Sequence, residues 1–527
     1  MTLDVMDGIY ARMDDDTETR KVELVDSLSQ TEIQKFFSGK SVLLTGATGF
    51  MGKVFVEKII RVCPGLKALY IVVRQKGTDT LEEKMEKYFQ HIIFGRLRNS
   101  QPDFARKVVT IKGDLKNERL GMSESDRALL INELDVIVHS GATTKFDEKV
   151  SVALKINVLA TRDLLDLALE CKHVQAFMYV STAYSHCYRK DIEEKFYDAP
   201  ADLKIVHDMI EADTMNELGI TEDAVKMLLG KWPNVYTFTK SIAEDLVRHY
   251  GERANFACGV YRPSIVSAAH SEPLRGWIGN NNGPAYVFLG TGLGLIHTSY
   301  YLNTPMDMIP VDFSINALIA ATYDLPERWM KEKRPVVYNY GSSTIQPMYL
   351  DTAFEYMRDE VERVGSKHVV WYPFQCFCSH KLSFYICHIL FHLIPALLAD
   401  LALLATGRKP RCLSLFWFGT KHLDKIFYFT NGDWRIHVPE TMKVNDRLGP
   451  EDRKLFQFDM RGFDWATFIG WYVRGTRIYM MKESMDNVPQ MRLRFRRLKL
   501  LHYGVFIGLG LLLAYHAYRL LSAAMIF

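Results

Sequence analysis

The chain of 527 residues has no Cys-x-x-Cys pair, no internal repeat, no low-complexity tract and little excess of charge of either sign. Its eight cysteines are scattered, the nearest two being Cys376 and Cys378, and they read as free thiols in a reducing compartment. A net charge of +3 gives no argument for nucleic acid as a partner. The N-terminus is acidic around Asp14 to Glu18 and lacks an apolar stretch, so no secretory signal is expected there. Residues 1–36 read as a loose leader. What is present, 48% hydrophobic and 24% charged residues, is a globular composition, and the length suggests about three domains.

The most informative stretch is KSVLLTGATGFMGK, Lys40 to Lys53. A short apolar run, Ser41 to Leu44, is followed at once by Gly46, Gly49 and Gly52, and then by helical periodicity from Val54 to Val62. Strand, glycine turn and helix in that order are the context of a dinucleotide fingerprint. Gly46 permits the tight turn, Gly49 lets the backbone approach a pyrophosphate, and Gly52 lets the helix pack on the strand. The helix N-terminus then offers free N–H groups to phosphates. Downstream, the strand-like runs ALYIVV, KVVTIKGD, DVIVHSGA, AFMYVST and FACGVYRPSIV alternate with helical stretches, among them Leu81 to Phe94 and Asn157 to Leu169. The alternation predicts an α/β fold with a Rossmann-type doubly wound parallel sheet, its ligands at the carboxyl ends of the strands.

The second strand ends on Arg74, where an NAD-selecting chain would often carry Asp or Glu for the ribose 2′-hydroxyl. Arg suits a 2′-phosphate, so NADPH is the expected cofactor. Asp114, closing the third strand, is either an adenine-edge contact or a solvated loop carboxylate. The chemistry is carried by NVYTFTKSIAEDL: Tyr236 and Lys240 stand at i and i+4 on one helix face. A carbonyl that accepts hydride develops negative charge on oxygen. A tyrosine can supply the proton if a neighbouring ammonium lowers its pKa from about 10. Ser181 and Thr182, at the end of the fifth strand, place hydroxyls at the same edge. Asn157, unfavourable inside a helix, suggests a packing or water-binding role.

Taken together, TGATGFMG, VIVHSGATTKFD, INVLATRDLL, VSTAYS, YTFTK and YRPSIV resemble the extended short-chain dehydrogenase/reductases. More narrowly, YRPSIV, GWIGNNNGP, MIPVDFSINALI, HLIPALLADLALLATGRKP and FDMRGFDWATFIGWYVRGTRIYMMKE resemble the fatty acyl-CoA reductases, over nearly all of Phe37 to Lys482. The overall look is similar to the insect members. The resemblance implies NADPH-dependent reduction of a long-chain acyl-CoA to a fatty alcohol, with CoA released through a bound aldehyde. It implies Tyr236 as proton donor and Lys240 as its activator. Thr182, or failing that Ser181, would bind the carbonyl oxygen, and Asn157 would order a water behind Lys240. By the same resemblance the cofactor would be lined by Gly46, Thr48, Gly49, Phe50, Gly52, Arg74, Asp114, Leu115, His139, Gly141, Ala142, Lys240 and Pro263. Cys187 and Cys258 read as small buried hydrophobes. No metal is expected.

The texture changes after about Gly365. Residues 37–365 are expected to form the reductase domain, 366–485 a smaller, mostly helical C-terminal domain, and 492–527 a basic flank and transmembrane tail. Leu382 to Ala405 is strongly apolar, interrupted by His388, His392, Pro395 and Asp400. It is either a membrane-embedded or acyl-covering hairpin or a core helix pair, kinked at Pro395, with the two histidines packed rather than binding metal. From Leu500 the chain is apolar to its end apart from His502, His516 and Arg519. Five basic residues between Arg492 and Lys499 would stay cytosolic. A single pass with cytosolic catalytic domains, in the endoplasmic reticulum first and the peroxisome second, is the expectation; a helix lying in the interface is the alternative. Membrane lipid is therefore an expected partner. Two other functions compete: a different membrane-bound extended reductase acting on sterols or sugar nucleotides, and a non-catalytic NADPH-binding regulator.

Overall fold

The computed structural model describes residues 30–75, 77–215, 219–279 and 284–524. Most of the expected leader, Lys76, the Asn-rich part of GWIGNNNGP and the last three residues lie outside the described residues. Seven strands form one parallel sheet: β1 (Ser41–Thr45), β2 (Ala68–Val73), β3 (Val108–Lys112), β4 (Val136–His139), β5 (Ala176–Val180), β6 (Ala257–Pro263) and β7 (Val336–Tyr340). Their spatial order is β7-β6-β5-β4-β1-β2-β3. The direction of winding reverses between β1 and β4, and a crevice opens beyond their carboxyl ends. Alternate residues feed two cores. Val42 and Leu44 of β1 join one, Leu43 the other; Ala257 and Tyr261 of β6 join the first, Cys258 and Val260 the second. The strands are covered on both faces, which is why they read as continuous apolar runs.

Helix α1 (Glu32–Phe37) opens the described chain. Thr31 and Gln34 form a reciprocal capping box, and Ile33 and Phe37 are fully buried, so the globular body begins inside the stretch expected to be a leader. Helix α2 (Phe50–Val62) follows the glycine turn. The predicted helix over Leu81 to Phe94 stops at Phe89: His91 adopts an extended conformation and accepts a hydrogen bond from the Ile93 N–H, starting a separate turn. Helix α3 runs through Val150–Leu154, a π turn at Lys155–Leu159 and Ala160–Glu170. Helix α4 (Val235–Gly251) packs beside it, and α5 (Val311–Glu332) covers the opposite face with α2. The seventh strand was not among the expected runs.

The C-terminal half is mostly helical: α6 (Leu350–Val364), α7 (Lys381–Ala405), α8 (Cys412–Asn431), α9 (Trp465–Gly475) and α10 (Val488–Ala524). It is stitched to the reductase by two short parallel pairings, Arg435–Ile436 with Asp191–Ile192 and Cys376–Cys378 with Thr298–Tyr300. Helix α7 contains a π turn at Ile389–Leu393, just ahead of Pro395, which supplies the irregularity expected of that proline. The basic beginning of α10 is clamped to the body. Lys499 pairs with Glu362 of α6 at 3.0 Å, Arg494 donates to the Lys367 and Val369 carbonyls, and Phe495 is buried. Beyond Leu500 the helix turns its leucines outward. All eight thiols are free; burial pushes those of Cys187 and Cys258 up to about 11 and about 12, so neither is a ready nucleophile.

Candidate active site at the switch point

The turn after β1 is built as its glycines require. Gly46 has φ +76°, and a Cβ there would stand 2.8 Å from the Gly141 nitrogen at the end of β4. A Cβ on Gly52 would meet the Gly46 carbonyl oxygen at 2.2 Å, so only glycine lets α2 start this close to β1. Gly49 is the N-cap of α2 and brings no capping side chain; above it a Cβ would meet only the Gly46 oxygen, at 3.2 Å. Thr48 and Gly49 are exposed to the crevice and Phe50 partly so. This is an open cradle of backbone N–H groups at a helix N-terminus, which fits a pyrophosphate.

Arg74 and Asp114 close β2 and β3 side by side. Their nearest charged atoms are 3.9 Å apart and the Arg74 side chain is 41% exposed, so the guanidinium stands at the crevice edge in a loose pair. Leu115 packs under Gly141. Ala142 is partly exposed beside it, and Pro263 is buried at the end of β6.

His139 takes a different place from the one its position suggests. Its ring is fully buried and both nitrogens are occupied: Nδ1 lies 2.6 Å from Thr45 Oγ1 and Nε2 lies 3.0 Å from Thr161 Oγ1. One proton arrangement satisfies every partner. The Gly141 N–H donates to Thr45 Oγ1, the Thr45 hydroxyl donates to Nδ1, Nε2–H donates to Thr161, and the Thr161 hydroxyl donates to the Asn157 carbonyl. Burial, aided by the nearby charge of Lys240, holds the ring down to about 3, so it stays neutral. His139 welds β1 and β4 to α3 just after its π turn; Gly141 beside it is buried, and Ala142 is the partly exposed residue.

That π turn aims Asn157 at two elements. Its Nδ2 donates to the Thr143 carbonyl (3.1 Å) and to Thr239 Oγ1 on α4 (2.9 Å), while Oδ1 accepts from the Thr143 N–H (2.9 Å). Asn157 therefore ties the loop after β4 to the helix that carries Tyr236 and Lys240, and keeps one acceptor position over for a water.

Lys240, one helical turn after Tyr236, is buried. Its Nζ donates to the Val180 carbonyl (2.7 Å) and stands 4.5 Å from the centre of the Tyr179 ring. Burial lowers it to about 7, with Glu244 pulling the other way. Tyr236 is raised by burial to about 12, and a hydrogen bond with the Thr182 side chain acts in the opposite sense. Its ring stacks on Phe146 with centroids 6.3 Å apart, and Phe146 in turn meets Phe429 of α8 at 5.2 Å. The phenol thus sits between the Thr182 hydroxyl and apolar rings, while the Lys240 amine, one helical turn on, is held by the Val180 carbonyl over the Tyr179 ring.

The two hydroxyls left open by the sequence separate here. Ser181 is committed away from the site, donating to Glu244 Oε1 at 2.5 Å, while Thr182 is the one beside Tyr236. Glu244 is the residue that sequence reasoning missed. Burial alone would raise it, yet Arg262 and His186 hold it well below the usual carboxylate range. Arg262, wholly buried on β6, donates to both its oxygens at 3.0 and 2.6 Å, and His186 lies at 3.2 Å. A signal was present: an arginine inside the apolar strand ACGVYRP requires a buried acid, and Glu244 shares the face of Tyr236 and Lys240 at i+4 from the lysine.

Comparisons with known proteins agree with this geometry. Residues 44–318 match an NAD-binding family model described as "Male sterility protein", and residues 391–483 match a second model of the same description. The chain is 36% identical over 476 residues to fatty acyl-CoA reductase 1 of Rattus norvegicus, covering 90% of each chain. It is 31% identical over 505 residues to the fatty acyl-CoA reductase wat of Drosophila melanogaster, covering 94% of this chain and 95% of that one. Among solved structures, the terminal R domain of the myxalamid PKS-NRPS pathway superposes with a TM-score of 0.56 at 19% identity, covering 85% of this chain and 93% of that one. The reductase domain of a nonribosomal peptide synthetase from Mycobacterium tuberculosis gives the same score, over 86% and 97%. At these identities the structures speak for the fold. A nicotinamide-binding sheet, a Tyr–Lys pair at its carboxyl edge and relatives of this similarity over nine-tenths of the sequence place the chain in the fatty acyl-CoA reductase family of the extended short-chain dehydrogenase/reductases.

Proposed function

We propose that this oxidoreductase uses NADPH to reduce a long-chain fatty acyl-CoA to the primary alcohol, with release of CoA and an aldehyde held in the site between two reductions. The observation that carries this reading is the seat of Tyr236: its hydroxyl bonded to Thr182, Lys240 one turn along the same helix, and the apolar rings of Phe146 and Phe429 alongside, where an acyl chain would lie. The rings favour an acyl group over a sugar nucleotide, and the intact Tyr–Lys pair favours catalysis over a regulatory role.

The cradle of Gly46, Thr48, Gly49 and Gly52 would hold the pyrophosphate, Arg74 the 2′-phosphate, Asp114 and Leu115 the adenine side, and Lys240 the nicotinamide ribose. A bound reduced nicotinamide would supply hydride. The chain's own part is to polarise the thioester carbonyl through Thr182 and to deliver a proton from Tyr236 as negative charge grows on oxygen. The Lys240 ammonium stabilises the phenolate that results. Thioester to alcohol is a four-electron change, so the same groups act twice, with CoA thiolate leaving after the first. The membrane proposed for α10 is that of the endoplasmic reticulum, with the catalytic domains in the cytosol.

Gas chromatography of lipids from yeast expressing the chain tests this reading: new long-chain alcohols are expected, and their absence from a well-expressed, folded protein would refute it. Cofactor choice has its own test. Arg74→Ala is expected to raise the KM for NADPH relative to that for NADH by about 10- to 100-fold, the worth of hydrogen bonds to a charged phosphate. Equal changes in both constants would remove Arg74 from the 2′-phosphate.

The state of Lys240 also makes cofactor binding pH-dependent. With its pKa at about 7, the amine of the free protein carries its charge below that pH and loses it above. NADPH affinity should therefore fall between pH 7 and 9, by at most about tenfold per unit. Titration calorimetry on Lys240→Met should show a flat profile over the same window, and a persisting slope would assign the effect elsewhere.

A further inference from the structure

Helices α7 and α8 form a hairpin whose polarity is inverted relative to a water-facing one. Four of its polar side chains, His388, His392, Asp400 and Thr420, are turned away from solvent, and three of them form a directed relay. The His297 N–H donates to His392 Nε2 (2.8 Å), so His392 carries its proton on Nδ1 and passes it towards His388 Nδ1 (2.8 Å). His388 Nε2–H is left to donate to Thr420 Oγ1 on α8 (2.9 Å), and the Thr420 hydroxyl donates to the Phe416 carbonyl (2.9 Å). The two histidines are thus packed and partnered, and no cluster of three metal-binding side chains occurs among the described residues. At the far end Asp400, almost fully buried, accepts from the backbone N–H groups of Arg411, Cys412 and Leu413 at 2.8, 2.8 and 2.9 Å, capping α8. The outward surface is apolar: Leu398, Leu401, Leu404, Leu415, Trp417 and Phe418 are each more than half exposed. Between Leu382 and Phe418, satisfied His388, His392 and Asp400 inside and bare leucines outside form the pattern selected by hydrocarbon as solvent, with the exposed Lys381 and Lys421 beyond either end of that stretch.

Three observations say what covers this surface. The hairpin adjoins α10: Phe391 stacks on Phe506 with centroids 6.2 Å apart, so the two apolar faces are continuous. Both α7, 25 residues, and α10 are long and apolar enough to cross a membrane. The turn between α7 and α8 exposes Arg408, Lys409 and Arg411, which suit anionic headgroups. Helix α8, roughly 30 Å long, then leads inward from Trp417 and Phe418 to Phe429, in the aromatic stack on Tyr236. Its inner end is fixed where Tyr428 donates to the Cys187 carbonyl (3.1 Å) and Asn431 to the Tyr300 carbonyl (3.0 Å).

We propose that the α7–α8 hairpin is seated in the lipid bilayer beside α10, and that α8 is the route by which an acyl chain passes from the bilayer to Tyr236. The second half rests on the function proposed above. The test uses the full-length protein in vesicles of phosphatidylcholine and phosphatidylserine, with the photoreactive residue p-benzoylphenylalanine introduced at position 401 or 418. Irradiation should yield lipid adducts at both positions and none at position 227, where Met227 is exposed on the reductase domain. Adducts to a second copy of the chain, or none, would overturn the bilayer seating. For the route, W417E/F418E should lower the ratio of kcat/KM for vesicle-borne long-chain acyl-CoA to that for water-soluble short-chain acyl-CoA by about tenfold or more. An unchanged ratio overturns the route. Lipid adducts at 401 and 418, together with an unsubstituted protein that reduces neither substrate, would remove the function and the route together and leave the seating in place.

Discussion

Tyr236→Phe is expected to bind NADPH with the affinity of the unsubstituted protein and to form alcohol about 10²- to 10⁴-fold more slowly, the range a positioned general acid contributes. The phenol is raised to about 12 in the resting site, so it is fully protonated at neutral pH and holds a proton to give. The substitution removes that proton and the bond with Thr182 while keeping the ring that stacks on Phe146. The glycine turn that would hold the pyrophosphate is on another element and is untouched. Equilibrium binding and single-turnover alcohol formation, measured on the same preparation, separate the two effects. Alcohol output within a few-fold of the unsubstituted protein would mean that the proton comes from elsewhere, with the adjacent Thr182 the first place to look.

The second large effect is on stability. Glu244→Ala should cost about 3–5 kcal/mol, because it leaves the Arg262 guanidinium buried without its partner. The loss is not confined to one pair: Ser181 and His186 point at the same carboxylate. Denaturant or thermal unfolding of the single variant, compared with Glu244→Leu/Arg262→Met, checks the cause. Replacing both charges by apolar groups should recover most of the loss. A double variant no more stable than the single one would show that the packing of this region, rather than an orphaned charge, sets the cost. Removing Glu244 also withdraws the carboxylate that supports the charge on Lys240, so cofactor binding in the single variant should lose its ammonium at lower pH.

What was legible in the sequence was local. Gly46, Gly49 and Gly52 announce a turn because each excludes a side chain at a fixed offset from a strand and a helix, and Tyr236 and Lys240 announce a site because one helical turn brings them to one face. Five of the six strands from β2 onward are visible as apolar runs; β7, in PVVYNYG, is not, because its polar Asn339 interrupts the run. That asparagine is buried and donates to the carbonyls of Ile192 and His437, residues far away in the chain. The same limit hid Glu244: its partners come from β6 and the turn after β5, and no spacing rule joins them. Asn157 could be flagged as odd within a helix, but the π turn that aims it at Thr239 depends on packing between α3 and α4. For α7, length and hydropathy are the same whether a helix is sheathed by protein or bare. Only the fold decides, and it leaves the leucines bare.

Helix α10 is a single rod of 37 residues, and its first third is bolted to α6 through Glu362, Arg363 and the buried ring of Phe495. A peptide tether would let the reductase tumble above a surface and sample it from every angle. A rod does not: seated in a bilayer, its tilt is the tilt of the whole body, and the only free rotation left is a spin about the membrane normal. The same edge of the sheet then faces every arriving molecule. On the function proposed above, the search for substrate would then lose a spatial dimension and two orientational ones, so the encounter rate would scale with the surface density of acyl-CoA and not with its bulk concentration.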